Sequence, residues 1–275
     1  EAEFNIPDTS LLNSSDGFIF AISSLKLDNF IVQQGIRKFI PSLDKNLSFS
    51  GNISNLTFSL PSLATTKIGG KLDKVRIYFP NHETAIENLD GRFLFFQDKF
   101  LFRADSKFLT FKSSRLYTQP LEIYDFKADI MGLNHHSQFT WVNKNFSATV
   151  DSVPVKGSFS IYPQENMDSL EFSLAAYVND SLYEEFSNLI PTLSWTKNII
   201  SWIDLHVNCG KIENVDLIYR GVLGKRIDKG TQSFQMGFDL EEACIEFDPL
   251  RLSKISLKGQ IEDSSFLGKI VQSNL

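Results

Sequence analysis

Residues 72–79 read LDKVRIYF, and this stretch indicates the fold class. From Val75 onward apolar and polar residues alternate, which is typical of a β-strand with one apolar and one polar face. Leu72 and Val75 are three residues apart, so the alternation changes phase once between them. A β-bulge, or a short turn before a strand, produces such a step. The stretch therefore predicts a strand of an antiparallel sheet with one wet face.

The same three-residue step recurs along the chain and is each time followed by alternation. Its further copies are Ile53/Leu56, Ile86/Leu89, Ile123/Phe126, Ile212/Val215 and Leu252/Ile255. The distance between copies varies, which excludes a solenoid with a fixed repeat. We therefore expect a mainly β protein, built on one long, twisted antiparallel sheet that forms an open groove.

Two short helical regions interrupt the strand pattern. The first is predicted to run from Asp28, as its N-cap, to Ile40, and to end before Pro41. The second runs from about residue 179 to 205 and is split by Pro191, with apolar residues at helical spacing on both sides. Such amphipathic helices are expected to cover a core at the edge or end of the sheet.

Charge and aromatic composition exclude some function classes. The net charge is −6 with no cluster of Lys and Arg, so neither nucleic-acid binding nor a polybasic membrane surface is predicted. The chain has 25 Phe against 7 Tyr and 3 Trp. This balance favours apolar packing over a sugar-stacking platform, and a Phe-rich closed core fits it as well. No apolar run is long enough to span a bilayer as a helix.

No catalytic or metal-binding template fits the sequence. Residues 221–226 end in Gly-Lys-Arg but lack the glycine spacing and the Ser or Thr of a phosphate loop. His135 and His136 are adjacent, and neighbouring side chains of a strand point to opposite faces. We predict no enzyme activity, no cofactor and no metal. Cys209 and Cys244 lack metal-ligand spacing, and two unpaired, half-buried thiols are favoured over a disulfide.

The region from residue 190 to 221 resembles a known family. Ile190-Pro191 is followed by IISWID at 199–204, GKI at 210–212 and LIYRG at 217–221. This order resembles the YhdP branch of the AsmA-like proteins of Gram-negative bacteria. In that branch a proline-interrupted helix ends in Trp-Leu-Asp, then come a glycine and a strand closing in Arg-Gly. Ile203 stands where the leucine is usual. The phrase LDGRF at 89–93 is similar to the family's strand element, and the resemblance covers most of residues 17–270.

The resemblance implies a lipid conduit. Family members are similar to the eukaryotic bridge-like lipid-transfer proteins. They are anchored in the inner membrane, extend across the periplasm, and carry phospholipids to the outer membrane along an apolar groove. For this chain it implies a periplasmic, internal segment of an inner-membrane-anchored protein. The opening EAEF at 1–4 is typical of a secretion-vector remnant, so residues 1–16 are expected to be a tag or leader remnant and linker. Residues 17–275 would be the β-groove segment, with a helical insertion at about 179–205.

The expected partners are phospholipid acyl chains and the rest of the same long chain at both ends, with membrane contact only through parts outside this sequence. Inward-facing apolar residues are predicted to hold the lipid: Phe49, Ile53, Phe58, Ile77, Phe93, Phe95, Phe126, Phe159 and Phe172. A second set is predicted to be structural: Pro191, Trp202, Asp204, Gly210 and Gly221. The phase step and the pair Phe95-Phe96 leave open which sheet face is the inner one.

A different class of function stays open. The chain could be a structural or adhesive β module that binds protein partners through exposed edges, without lipid transport. The two hypotheses predict different surroundings for the inward-facing phenylalanine side chains. A conduit needs them to line an open apolar trough, whereas a module needs them to fill a closed core.

Overall fold

The computed structural model describes residues 4–5, 18–28, 47–60, 67–80, 83–96, 99–114, 116–135, 138–163, 169–190, 201, 203, 205–224, 233–262 and 265–273. They form fourteen strands and a short helix, and residues 201, 203, 205 and 206 are also helical. The elements are β1 Phe4–Asn5, β2 Phe18–Lys26, β3 Ser48–Leu60, β4 Lys67–Phe79, β5 Thr84–Phe96, β6 Lys99–Ser113, β7 Leu121–His135, β8 Gln138–Val150, β9 Val153–Pro163, β10 Ser169–Leu182, α1 Tyr183–Ser187, β11 Val207–Gly224, β12 Ser233–Phe247, β13 Leu250–Glu262 and β14 Ser265–Ser273.

All fourteen strands belong to one sheet. Their order in the sheet is their order in the sequence, and every neighbouring pair is antiparallel. The main contacts of each strand are with its two neighbours, and α1 packs on β10 and β11. Within the described residues the edge strands β1 and β14 do not pair, so the sheet is open. The predicted mainly β fold with one long antiparallel sheet is confirmed.

The three-residue steps of the sequence are β-bulges. In five of the six predicted copies the residue before the second apolar position has a positive φ; these are Asn55 (52°), Lys74 (49°), Asn88 (62°), Asp125 (48°) and Lys254 (56°). The sixth coincides with a register shift between β11 and β12. The steps lie inside continuous strands, not in turns before them. Because a bulge bends its strand and increases its twist, repeated bulges curve the sheet.

Buried polar side chains complete the hydrogen bonding beside the bulges. Ser106 Oγ accepts a hydrogen bond from the Asp90 N–H (2.8 Å) and donates one to the Asp90 carbonyl (3.2 Å), two residues after the bulge at Asn88. Asn143 is 1% exposed, and its Nδ2 donates to the main-chain oxygens of Asp129 (2.9 Å) and Asn145 (3.1 Å). Each restores a bond for a backbone group near a gap in the strand ladder, which explains these polar residues on an apolar face.

The helical predictions are corrected in part. The stretch 28–40 lies outside the described residues apart from Asp28. The second helical region is predicted to begin at about residue 179, but β10 continues to Leu182, where it pairs with Lys211 of β11. Cross-strand pairing overrides the helical spacing there, and α1 begins at Tyr183.

The buried apolar residues form two groups. We call the first the covered end; it lies on β9–β13 and includes Tyr183, Phe186, Ile190 and Ile203, from α1 and the chain after it, which pack over the sheet. We call the second the open face; it lies on β2–β8, where many large apolar residues are only partly buried. The Tyr117 hydroxyl, in the β6–β7 connection, donates to the Leu189 carbonyl just after α1 (3.0 Å). Burial of Tyr117 raises its pKa above the ordinary tyrosine value.

The other face of the sheet carries charges and ion pairs. On β4–β6, Glu87 accepts hydrogen bonds from Lys112 Nζ (2.7 Å) and Arg76 Nε (3.0 Å), which lower the pKa of its carboxyl group. On β12–β13, Lys258 pairs with Asp239 (2.7 Å). The sheet therefore has a polar outer face and an apolar inner face, as the alternation predicts.

Candidate functional site: the apolar face

The inner face carries an unbroken apolar row across the sheet. Residues paired directly across an antiparallel ladder point to the same face. From β2 to β13 one such row contains Leu25, Ile53, Leu72, Gly91, Ala104, Ala128, Phe146, Gly157, Ala176, Leu217, Met236 and Ile261. At a strand spacing of about 4.8 Å, the row extends for about 50 Å along the sheet.

The structure places all nine predicted lipid-holding residues on the inner face. Phe49, Phe58, Ile77, Phe93, Phe95 and Phe126 are partly buried against the open-face group, and Ile53 is a buried member of it. Phe159 pairs with Asn143 and lies against Phe146, and Phe172 pairs with Ile161 and lies against Tyr219. The ambiguous pair is also settled, because Phe95 pairs with Phe100 on the inner face, whereas Phe96 meets Lys67 on the outer face (5.1 Å).

Aromatic rings lie over glycines on this face, an arrangement that sequence reasoning missed. A Cβ atom added to Gly91 would lie 2.6 Å from the Phe102 ring, and one added to Gly157 would lie 2.8 Å from the Phe146 ring. The rings of Phe93, Trp141 and Phe238 cover Gly70, Gly132 and Gly259 in the same way. Since glycine has no side chain, each ring can lie close to the sheet instead of standing up from it. The inner face is thereby lined with low-lying rings.

The rings also contact each other along the open face. Phe100 is near Phe93 (6.1 Å between ring centres), Phe102 (6.4 Å) and Trp141 (5.2 Å). Phe146 is near Phe126 (6.5 Å) and Phe159 (6.3 Å). Such pairs favour offset or edge-to-face geometry and add to the stabilisation from burial. Two sets of contacting rings therefore line this face, one on β5, β6 and β8 and one on β7–β9.

At the covered end the inner face of the sheet lies under α1 and the residues that follow it. There α1 and the following residues enclose a cavity of about 190 Å³ against β11–β14. Its described lining is apolar apart from the Tyr183 hydroxyl.

Among the described residues, no group of His, Cys, Asp or Glu is arranged to hold a metal ion. In the part of the chain that the structure describes, no helix is long and apolar enough to cross a membrane.

Cys209 and Cys244 form a disulfide, so the expectation of unpaired thiols is wrong. They are paired residues of β11 and β12, and their Cα atoms are 5.0 Å apart, within the range that a disulfide requires. Register shifts on both sides of Cys209 place it opposite Cys244. Gly210 has φ of 151° at this irregularity, a conformation that favours glycine. The irregular pairing at Cys209 and Gly210 therefore brings the two cysteines opposite each other, where they can bond.

Of the other residues predicted to be structural, only Gly221 lies within the described part of the chain. Gly221 is buried on the inner face opposite Phe172. Pro191, Trp202 and Asp204 lie outside the described residues. Ile203, between the last two, is buried in the covered end.

No known protein family, curated protein or solved structure matches this chain significantly. The resemblance to the AsmA-like proteins therefore stays a prediction, and the strongest indication of function is the geometry of the sheet.

Proposed function

We propose that this chain holds lipid acyl chains on its open face and lets them move along the sheet. The observation that carries the proposal is the apolar row from Leu25 to Ile261, which contains no polar residue over twelve strands. Acyl chains on such a face exchange water for an apolar wall, which stabilises them by about 0.8 kcal/mol per buried methylene. No catalytic step is needed.

The lining of the open face supports movement rather than fixed binding. Low-lying rings over Gly70, Gly91, Gly132 and Gly157 give neighbouring strands a similar surface. A chain that shifts by one strand then meets an equivalent environment, so its free energy changes little. The two most deeply buried polar side chains on this face, Ser106 and Asn143, bond to the main chain.

The proposal extends to the place of the protein in the cell. A segment of an inner-membrane-anchored periplasmic protein that passes phospholipids between the two membranes fits an apolar row of about 50 Å, which crosses the open face on β2–β8 and continues into the covered end. This part of the proposal rests on the resemblance of residues 190–221 to the AsmA-like proteins.

Lipid analysis of two matched variants tests the proposal. The wild-type chain is purified from bacterial envelopes, and its bound lipids are extracted and identified by mass spectrometry. Phe93→Asp puts a charge on the open face. Leu101→Asp puts the same charge on the outer face of the neighbouring strand, where Leu101 is 46% exposed. We expect phospholipid in the wild type and in Leu101→Asp, and a severalfold loss in Phe93→Asp. Equal lipid in all three, or none in the wild type, contradicts the proposal.

One observation favours the alternative of a β module that binds protein. The edge strand β14 exposes Leu267 (73%) and Val271 (53%), and an exposed apolar edge is a template for adding a further strand. Analytical ultracentrifugation tests this function. If it is correct, the wild type self-associates and Leu267→Lys is monomeric, and lipid content is the same in both.

A further inference from the structure

The cavity at the covered end lies between α1 and the inner face of β11–β14. Its roof includes Tyr183, Phe186 and Ile190, and its floor includes Ile212, Met236 and Leu257. None of the described residues that line it carries a charge. A headgroup would bring charge or unsatisfied polar groups into this lining, which costs free energy. The lining therefore selects an apolar guest.

The size of the cavity is sufficient for part of a lipid chain. An apolar cavity of about 150 Å³ excludes water and admits a benzene molecule. The cavity here has about 190 Å³. It can hold a short alkyl segment, and it is too small for a whole phospholipid.

The cavity adjoins the apolar row of the inner face and the sheet edge. Met236 lines the cavity and is also a member of the apolar row that begins on β2. On the other side Ile270, which lines the cavity on the edge strand, is 45% exposed. Gly268 lies beside it and pairs with Gly259, which the Phe238 ring covers. Because Gly268 and Ile270 both line the cavity and are exposed, the mouth of the cavity lies at this edge.

From these observations we infer that the cavity binds the methyl-terminal segment of a straight alkyl chain whose remainder lies on the inner face. It is a fixed site at one end of the apolar face, where a chain rests with its end under α1. The inference rests on the proposed function, because the rest of the chain occupies the face proposed there.

Two photoreactive probes test the inference on the full chain. Both are palmitate analogues with a diazirine, placed next to the terminal methyl group in one and next to the carboxylate in the other. After illumination, peptide mass spectrometry maps the labelled residues. We expect the methyl-end probe to label β12–β14, around Met236 and Ile270. The carboxylate-end probe should label β8–β10 instead, which lie within one palmitate length of the cavity at a strand spacing of about 4.8 Å.

A pair of glycine variants provides the matched control. Gly268→Val narrows the mouth of the cavity and should reduce methyl-end labelling of β12–β14 severalfold. Gly237→Val is the same change on the outer face of β12, where an added Cβ meets nothing within 4 Å, and should leave labelling unchanged. If circular dichroism shows that Gly268→Val does not fold, Ile270→Phe fills the same mouth and is used in its place.

The outcomes separate the two proposals. If both probes label β5–β10 equally and β12–β14 remains unlabelled, the end site is wrong and lipid holding on the open face stands. If neither probe labels the inner face, both are wrong. Equal labelling of β12–β14 in the wild type and in the narrowed-mouth variant also overturns the end site.

Discussion

The open face and the covered end are two parts of one sheet with the same alternation but different burial. At the covered end Phe234 and Phe238 are buried, and Phe238 lines the cavity under α1. On the open face Phe93 and Phe95 occupy equivalent inward positions and remain partly exposed. A sheet ordinarily buries its apolar face against a second layer, and within the described residues only one end has such a layer. Inward orientation thus follows from strand parity, whereas burial depends on α1 and the residues after it.

A charge placed at matched positions should give the largest difference between the two regions. Phe238→Asp buries an unpaired carboxylate and removes a ring, so we expect a loss of at least about 4 kcal/mol in the free energy of unfolding. Phe93→Asp leaves the carboxylate in reach of water, and we expect a loss of about 1–2 kcal/mol. Urea unfolding followed by circular dichroism measures both values.

Leucine variants at the same two positions separate ring loss from charge. Phe238→Leu and Phe93→Leu should both be mild, because each keeps an apolar side chain in place. An equally severe loss in Phe93→Asp and Phe238→Asp would mean that the open face is a closed core, and the comparison would be wrong.

Removal of the disulfide should affect the covered end most. Cys209 and Cys244 close a loop with a sequence separation of 35 residues. A double change to serine should lower the free energy of unfolding by about 3–4 kcal/mol, through the greater freedom of the unfolded chain. Hydrogen exchange should show faster opening of β11 and β12 and unchanged protection of β4–β6. Uniformly faster exchange would show that the two regions unfold together.

The sequence predicts features that depend on neighbouring residues along the chain. The step from Leu72 to Val75 is a local signal, since a bulge shifts the side-chain phase within one strand, and the structure has a bulge at Lys74. The inward placement of Phe93 and Phe172 follows from parity in the same way. These features need no knowledge of the partner strand.

Features that the sequence could not predict depend on contacts across strands. The Phe146 ring lies over Gly157 only because the β8–β9 register pairs them, and the Cys209–Cys244 bond requires the irregular β11–β12 register. The helical spacing of apolar residues predicts a helix from about residue 179. The helix begins only at Tyr183, because pairing with β11 extends β10 to Leu182. The hydrogen bond from Tyr117 to Leu189, 72 residues apart, has no local signal.

Substitution of a glycine that lies under an aromatic ring should have an intermediate effect on stability. Gly259→Ala places a Cβ where the Phe238 ring lies, so the ring must move or the strands must separate. We expect a loss of about 1–3 kcal/mol in thermal unfolding. Gly237→Ala is the control on the outer face, and should be neutral or stabilising by less than about 1 kcal/mol. Equal effects at the two positions would mean that the rings do not rest on the glycines.

The hydrogen bond between Tyr117 and Leu189 joins the two regions and gives a smaller effect. Tyr117→Phe keeps the ring against Phe111 and leaves the Leu189 carbonyl without this donor. We expect a loss of about 1 kcal/mol. Hydrogen exchange in α1 should be faster in the variant, whereas β3–β5 should be unaffected. If α1 exchanges as in the wild type, the bond does not hold the cover in place.

The smallest expected effect tests whether the two regions are alike on the outer face. Glu87 bonds to Lys112 and Arg76, and these partners hold the pKa of its carboxyl group below the ordinary value. A lowered pKa contributes stability at pH values above the ordinary glutamate range, and this stability is lost as the pH falls through the lowered pKa. Glu87→Gln should therefore lower the free energy of unfolding by less than about 1 kcal/mol at neutral pH, and should have no effect in acid or at high salt.

Asp239→Asn, which removes the ion pair with Lys258 at the covered end, should have an equally small effect at neutral pH because water reaches both pairs. Urea midpoints measured across pH provide the comparison. A loss several times larger at one of the two sites would mean that the regions differ on both faces of the sheet, and that α1 alone does not explain the contrast between them.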